Sequence, residues 1–291
     1  MNILQSVFLG LVQGITEFFP VSSSGHLAIC EQIFHIDTGG SMLFDVLLHL
    51  ATLFVVIFYF RKEVWKMILT FFSILGDLFY NFKARFFSKD KEEIVLRRIV
   101  TNNYRKFVLL VLLSTIPTGI IGVLVEKLIN DASASLLAVG IFLLITACLL
   151  FLSDRVTDNT KIPKDVTWRE GIIIGIAQGF AVLPGLSRSG TTISTGLFLG
   201  FDRTFAVKYS FILSIPAILG ATLLEIGKAG GEVVSAGLVG VYIAGMAAAA
   251  IAGYFSIRFL MKVVSQKKLK GFAIYCCIAG ALAIIGNFVL M

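Results

Sequence analysis

The chain has 291 residues, of which 57% are hydrophobic and 15% are charged. This composition, with a mean hydropathy of +0.91, excludes an ordinary soluble domain and indicates an integral membrane protein. The net charge of +7 is typical of nucleic-acid binding, but the basic residues lie mainly between apolar segments rather than on one soluble face. We therefore expect the lipid bilayer as a partner and no nucleic acid.

Six apolar segments are long enough to cross a membrane, because a spanning helix needs about 20 apolar residues. They lie near residues 43–60, 107–125, 136–152, 205–226, 236–257 and 271–291. After the first of them, the aromatic stretch 67–88 predicts an interfacial amphipathic helix, followed by a linker over 89–101. The sequence thus predicts a single all-α membrane domain over residues 1–291, with about six full transmembrane helices.

Two further apolar regions, near residues 3–29 and 171–198, are interrupted in the middle. Pro20 breaks the first region and Pro184-Gly185 breaks the second, and such residues end a helix. Each region therefore predicts a re-entrant helix-loop-helix hairpin. Non-helical backbone is tolerated at membrane depth only against protein or a water-filled cavity, so we expect both loops to face inward.

The two interrupted regions repeat one another. Gln, Gly, Ser, Ser and Gly recur at identical offsets in residues 13–26 and 178–191. Two positions differ in their chemistry, since Arg188 replaces Ser23 and Thr191 replaces His26. We interpret this as a duplication, with repeat 1 over about 1–152 and repeat 2 over about 171–291.

The basic residues predict the orientation of the chain. They are concentrated in the connections 61–106 and 258–270, whereas residues 30–42 contain none, so the two basic connections should be cytoplasmic. Threading six spans through this assignment brings the first hairpin in from the outer face and the second from the cytoplasmic face. Such inverted repeats place their tips together near the membrane midplane, where membrane proteins build substrate sites.

The residues at the two tips favour a phosphate ligand. The helix that follows each break presents free N–H groups and a positive dipole end, and glycine allows close approach of the backbone. Arg188 adds a permanent charge suited to phosphate oxygens. The expected phosphate-binding residues are Gln13, Ser22, Ser24, Gly25, Ser187, Ser189 and Gly190.

Three residues of the first tip are candidates for the chemistry. Glu17 is suited either to hold a divalent cation or to act as a base. His26 could transfer a proton or attack phosphorus. Our hypothesis is that Ser23 is the nucleophile, with Glu17 or His26 as its base.

Each of these residues also has a structural explanation. Serines and glycines in membrane helices often serve close packing, Glu17 could form a structural ion pair with Arg188, and His26 could be a histidine satisfied at a helix start. For Asp45 and His49, which are four residues apart in one span, we favour a structural pair over a place beside the cavity. Arg155, Arg203 and Lys208 are expected to extend to the cytoplasmic interface.

Three segments closely resemble the two signature regions of the bacterial undecaprenyl-diphosphate phosphatase family, also called the bacitracin-resistance proteins. They are Gln13-x-x-x-Glu17, the run from Pro20 to His26 and the run from Pro184 to Gly190. In length and span pattern, the resemblance covers essentially the whole chain.

The resemblance implies hydrolysis of a C55 polyprenyl diphosphate to the monophosphate and inorganic phosphate, which recycles the lipid for envelope polymers. It implies Mg²⁺ or Ca²⁺ as cofactor, and a multi-pass protein of the bacterial cytoplasmic membrane with a site open to the outer side. A homodimer is one possible assembly. Glu17, Ser23, His26 and Arg188 fall on the family's catalytic positions. Gln13 stands where many members carry Glu, which argues against a metal site with two carboxylates.

Two other functions are compatible with parts of the pattern. A transporter or lipid flippase also uses inverted re-entrant hairpins, but it requires no nucleophile. A channel is disfavoured because Glu17 and Arg188 would block their own pore. Phosphate release by the purified protein separates the enzyme from both alternatives.

Overall fold

The computed structural model describes residues 1–36, 43–87, 95–133, 135–228, 236–266 and 268–290. These ranges are helical and contain no strand, apart from an isolated bridge between Lys161 and Phe201. The helices are α1 (Ile3–Phe18), α2 (Ser23–Ile33), α3 (Leu43–Tyr59), α4 (Arg61–Phe87), α5 (Asn103–Leu124), α6 (Glu126–Ser133), α7 (Leu136–Asp154), α8 (Trp168–Phe180), α9 (Arg188–Phe198), α10 (Arg203–Lys228), α11 (Ala236–Ser265) and α12 (Lys270–Leu290).

The expected membrane spans coincide with long apolar helices. Five helices, α5, α7, α10, α11 and α12, are long and apolar enough to cross a bilayer, and the bent pair of α3 and α4 adds a sixth if it is counted as one span. The prediction of an all-helical, multi-pass membrane protein is therefore confirmed. The helix α3 has only 17 residues, so its span is shorter than the others.

The helix α4 contains the predicted interfacial helix. It turns by 87° from α3 and runs from Arg61 to Phe87, so it begins before the expected stretch 67–88 and makes the part 61–87 of the predicted connection helical. Its aromatic side chains Trp65, Phe72 and Phe79 are exposed, as expected of an interfacial helix. Within the predicted linker 89–101, residues 89–94 lie outside the described residues, as do residues 37–42 of the connection 30–42.

Both motif regions form two short helices with a break between them. The first break separates α1 from α2 after Phe18, and the second separates α8 from α9 after Phe180. The helices have 16, 11, 13 and 11 residues, so none of them alone reaches the length of a span. The breaks fall where Pro20 and Pro184-Gly185 predicted them, although α2 and α8 extend a few residues beyond the expected limits.

The packing of the two halves follows the same pattern. On α1, Gly10 and Gly14 bring the helix against the backbone of α11, where no Cβ would fit. Their counterparts on α8, Gly175 and Gly179, lie against α5, where a Cβ would meet the backbone of Ser114 and the side chain of Ile121. The helices α3 and α10 contact each other, as do α7 and α12. This is the pairing expected when the second half of a chain repeats the first.

One basic residue does not extend to the membrane surface as expected. Arg203 is buried and forms an ion pair with Asp154, at 3.3 Å between Nη1 and Oδ1. Its Nη2 donates to the backbone carbonyls of Asp154 and Val156, both at 3.1 Å. A buried charge needs such partners, so Arg203 fixes the start of α10 to the end of α7.

Candidate active site

The two breaks touch each other at the centre of the molecule. The hydroxyl of Ser22 accepts hydrogen bonds from the backbone N–H of Gly185 at 3.0 Å and of Gly25 at 3.3 Å. A Cβ on Gly25 would lie 2.9 Å from the Cα of Gly185, so this contact requires glycine. Ser22 has a φ of +72°, a conformation that costs free energy for a non-glycine residue. The first tip is therefore strained and held in place by the second.

Hydroxyl groups fix the second tip. Thr146 on α7 donates to the carbonyl of Gly185 and accepts from the N–H of Ser187, both at 3.0 Å. The hydroxyl of Ser187 caps α9 by accepting from the N–H of Gly190 at 3.0 Å. Ser189 donates to the carbonyl of Phe19 at 3.3 Å and so joins this tip to the first. These serines position the backbone as well as facing the cavity.

The carboxylate of Glu17 is the centre of the polar groups. Ser23 donates its hydroxyl to Oε2 at 2.5 Å, and the amide of Gln13 donates to the same oxygen at 3.1 Å. The guanidinium of Arg188 forms a hydrogen-bonded ion pair with Oε1. Three of the four predicted catalytic residues, Glu17, Ser23 and Arg188, are thus in direct contact.

A cavity of about 200 Å³ opens beside this cluster. Seven helices and both breaks contribute to its wall, which combines polar side chains with apolar residues of α10. The lining residues include Glu17, Ser22, Ser23, Ser24, His49, Thr118, Gln178, Ser187, Arg188, Ser189, Ala217 and Ala221. The expectation that the loops face inward is met, because both breaks border the cavity.

Several buried polar atoms around the cluster lack a hydrogen-bond partner among the described residues. They include Nη1 of Arg188 and Oε1 of Gln178, two residues that line the cavity. Because an unpaired buried polar group is costly, these atoms are available to a polar ligand. Nη1 of Arg188 is free to bind an anion while Nη2 remains on Glu17.

His26 does not share this cavity, contrary to our expectation. Its Nδ1 lies 2.7 Å from the carbonyl oxygen of Ser22, and its Nε2 lies 2.8 Å from the hydroxyl of Tyr275. The ring also stacks on Tyr275, with centroids 5.6 Å apart. Both ring nitrogens therefore have partners, and Glu17 is the base that lies within hydrogen-bond distance of Ser23.

His49 borders the cavity, where we had favoured a structural pair with Asp45. Its Nδ1 lies 2.9 Å from the backbone carbonyl oxygen of Asp45, so its partner is the backbone of that residue rather than the carboxylate. The opposite nitrogen, Nε2, lies 3.6 Å from Oε2 of Glu17. The sequence signal was a histidine inside an apolar span, but its orientation depends on how α3 packs against α1.

Thr118 and Gln178 are two further residues of the cavity wall that the sequence did not identify as functional. The hydroxyl of Thr118 donates to the carbonyls of Ser114 and Gly175, both at 2.9 Å. Gln178 is almost fully buried, and its amide nitrogen lies 3.4 Å from the hydroxyl of Thr118. Gln178 occupies in the second repeat the position of Gln13 in the first, which is the signal that could have identified it.

The donor groups do not form a protein-built metal site. Among the described residues, no group of three or more His, Cys, Asp or Glu side chains is placed to hold an ion. Glu17 is the one carboxylate in the described lining, and both of its oxygens already accept hydrogen bonds. A hard cation needs several free oxygen ligands, so the residues present do not fit the expected metal.

Comparison with known proteins agrees with this architecture. A family model described as "Bacitracin resistance protein BacA" matches residues 6–282. The chain belongs to this family. It is similar over its whole length to a protein of Methanosphaera stadtmanae, with 40% identity and complete coverage of both chains. Relatives from Treponema denticola and Alkaliphilus metalliredigens are 41% and 37% identical, with 94% and 98% of each chain covered. All three relatives carry the name undecaprenyl-diphosphatase.

Proposed function

We propose that the protein hydrolyses undecaprenyl diphosphate to undecaprenyl phosphate and inorganic phosphate, and so recycles the lipid carrier. The observation that carries the proposal is the hydrogen bond from Ser23 to Glu17, at 2.5 Å, on a carboxylate that also pairs with Arg188. A hydroxyl on a base beside a fixed cation is an arrangement suited to phosphoryl transfer through a covalent intermediate. The names of the relatives supply the substrate.

The proposed reaction begins with attack of Ser23 Oγ on the outer phosphorus. The Oγ–H bond breaks and its proton passes to Oε2 of Glu17, while the bond from phosphorus to the bridging oxygen breaks and the electron pair leaves with undecaprenyl phosphate. Water then attacks the phosphoserine, releases inorganic phosphate and restores the hydroxyl. Phosphoryl transfer depends mainly on positioning and charge stabilisation, which Arg188 and the starts of α2 and α9 provide.

The metal ion expected from the resemblance stays a prediction. The donor groups of the cavity do not fit a cation site, so the proposed reaction has no step at Mg²⁺ or Ca²⁺. The resemblance predicts that a chelator stops phosphate release and that either ion restores it. Equal rates of phosphate release with and without chelator would show that hydrolysis does not need the ion.

The membrane arrangement supports this chemistry. We infer that the two pairs of short helices are re-entrant hairpins of an inverted repeat, since they pack on corresponding helices and none is long enough to span. The basic connections then lie in the cytoplasm, and the cavity opens to the outer side of the cytoplasmic membrane. A cysteine introduced into α4 should react with an impermeant reagent from the cytoplasmic side alone. Labelling from outside would show that the orientation is the reverse of the one proposed.

The function is tested by phosphate release from a C55 diphosphate in detergent. We expect Glu17→Gln to lower kcat by about 10³-fold, within the range for loss of a general base. Glu63→Gln is the matched control, because Glu63 lies on α4 and pairs with Lys208 at 2.9 Å, away from the cavity. Thermal unfolding of both variants separates loss of chemistry from loss of fold.

The same variants distinguish an enzyme from a lipid carrier. A carrier needs binding and alternating access but no base, so under that alternative the wild-type protein would release no phosphate. Lipid translocation in vesicles without phosphate release by the wild type would favour the carrier and contradict the proposal.

A further inference from the structure

The orientation of His49 fixes which of its nitrogens carries a hydrogen. Its Nδ1 lies 2.9 Å from the backbone carbonyl of Asp45, and a carbonyl oxygen can only accept a hydrogen bond. Nδ1 is therefore protonated. In the neutral imidazole the other nitrogen, Nε2, is then an acceptor with a free lone pair.

This acceptor faces a second acceptor. Nε2 of His49 lies 3.6 Å from Oε2 of Glu17, which is too long for a direct hydrogen bond. Two lone pairs at this distance have no proton between them while Glu17 is ionised and His49 is neutral. The pair is one proton short of a hydrogen bond.

The proposed reaction supplies that proton. When Ser23 Oγ bonds to phosphorus, its proton moves to Oε2 of Glu17, the oxygen that faces His49. A protonated Glu17 would leave Arg188, which pairs with the other oxygen, without a full counter-charge in a buried site. Transfer of the proton onward to Nε2 restores the carboxylate and keeps the ion pair intact.

We propose that His49 is a positioning residue that accepts, through Glu17, the proton released by Ser23. The inference rests on the proposed function, and it adds a relay from Ser23 Oγ to Glu17 Oε2 and then to His49 Nε2. During hydrolysis of the phosphoserine the same proton returns along this route to Oγ as phosphorus leaves it. The attacking water keeps one proton in the phosphate product and releases the other to the aqueous phase.

The surroundings of His49 suit this role. Glu17 and Arg188 face it from the cavity, and Glu31 and Asp45 line an adjoining depression that His49 also borders. The other candidate histidine, His26, has both ring nitrogens engaged outside the cavity.

The test combines two variants with addition of imidazole. We expect His49→Gln, which keeps a polar side chain but cannot accept a proton, to lower kcat about 100-fold with little change in KM. In His49→Ala, we expect millimolar imidazole to raise kcat at least tenfold. His35→Gln is the matched control, since His35 is exposed beyond the end of α2, and it should retain wild-type kcat without any response to imidazole.

Two results would overturn the relay. One is full kcat in His49→Gln, and the other is an equal loss in His49→Ala with and without imidazole. Both results leave the proposed function intact, because each is measured against a wild-type protein that releases phosphate. A wild type without phosphate release would instead remove the proposed function itself.

Discussion

The two tips have the same helix cap and carry side chains of complementary chemistry. Ser22 and Ser187 cap the helices after the breaks by accepting from the N–H three residues on. The next residue is Ser23 in the first tip and Arg188 in the second, and these two side chains meet on Glu17. The two tips thus share a helix cap, and the residue that follows it carries a hydroxyl on one side and a cation on the other.

The tips differ in conformation as well as in chemistry. Ser22 has a φ of +72°, whereas its counterpart Ser187 has a φ of −64°. The hydroxyl of Ser22 reaches across to the N–H of Gly185, in addition to capping its own helix. The first tip therefore depends on the second for its strained shape, and the comparison can be tested by disturbing each tip separately.

Among the variants that compare the two tips here, the largest effect should come from removing the charge of the second tip. Arg188→Ala should lower kcat about 10³-fold, the lower end of the range for an arginine that stabilises a transferring phosphoryl group. Arg188→Lys should recover only part of this loss, because lysine lacks the fork that binds Glu17 and an anion together. Phosphate release measures both variants. Wild-type kcat in Arg188→Ala would mean that the second tip has no part in the chemistry.

A smaller loss is expected from His26, which acts on the first tip from outside the cavity. His26→Ala should lower kcat about 10²-fold, because the ring holds the backbone of Ser22 and a displacement of about 1 Å can have this effect. Tyr275→Phe removes one hydrogen bond to the ring and should lower kcat about tenfold. An undiminished kcat in His26→Ala would contradict the positioning role, whereas rescue of this variant by imidazole would indicate a direct proton transfer.

The smallest effect on chemistry is expected where the second tip packs against α7, and it should appear as lost stability. Gly185 has a φ of +95°, and a Cβ there would collide with the backbone of Val139. We expect Gly185→Ala to destabilise the protein by about 3 kcal/mol or more, measured by thermal unfolding in detergent. The matched control is Gly220→Ala on α10, where no described atom lies within 4 Å of a Cβ. Equal melting temperatures for the two variants would show that the second tip does not pack tightly against α7.

Much of this fold could be predicted because its signals are local. Apolar runs of span length became α5, α7, α10, α11 and α12, and Pro20 and Pro184 marked both breaks. The repeated tip sequence predicted that Glu17 and Arg188 would share one site. Residues close together in sequence, or repeated at a constant offset, carried this information.

The orientation of single side chains could not be predicted in the same way. His26 follows Ser23 by three residues, yet its ring turns to Tyr275 on α12. His49 faces Glu17 only because α3 packs against α1. Arg203 is buried because Asp154 lies at the end of a helix distant in sequence. In each case the deciding partner belongs to another helix, and no local pattern identifies it.

The central claim is that Ser23 attacks phosphorus with Glu17 as its base. It is tested most directly by mixing the enzyme with a C55 diphosphate labelled in its outer phosphate, stopping the reaction within milliseconds and analysing its peptides by mass spectrometry. We expect a transient labelled phosphate on Ser23, and neither label nor turnover in Ser23→Ala. Turnover by Ser23→Ala at the wild-type rate, or label on a histidine, would contradict it.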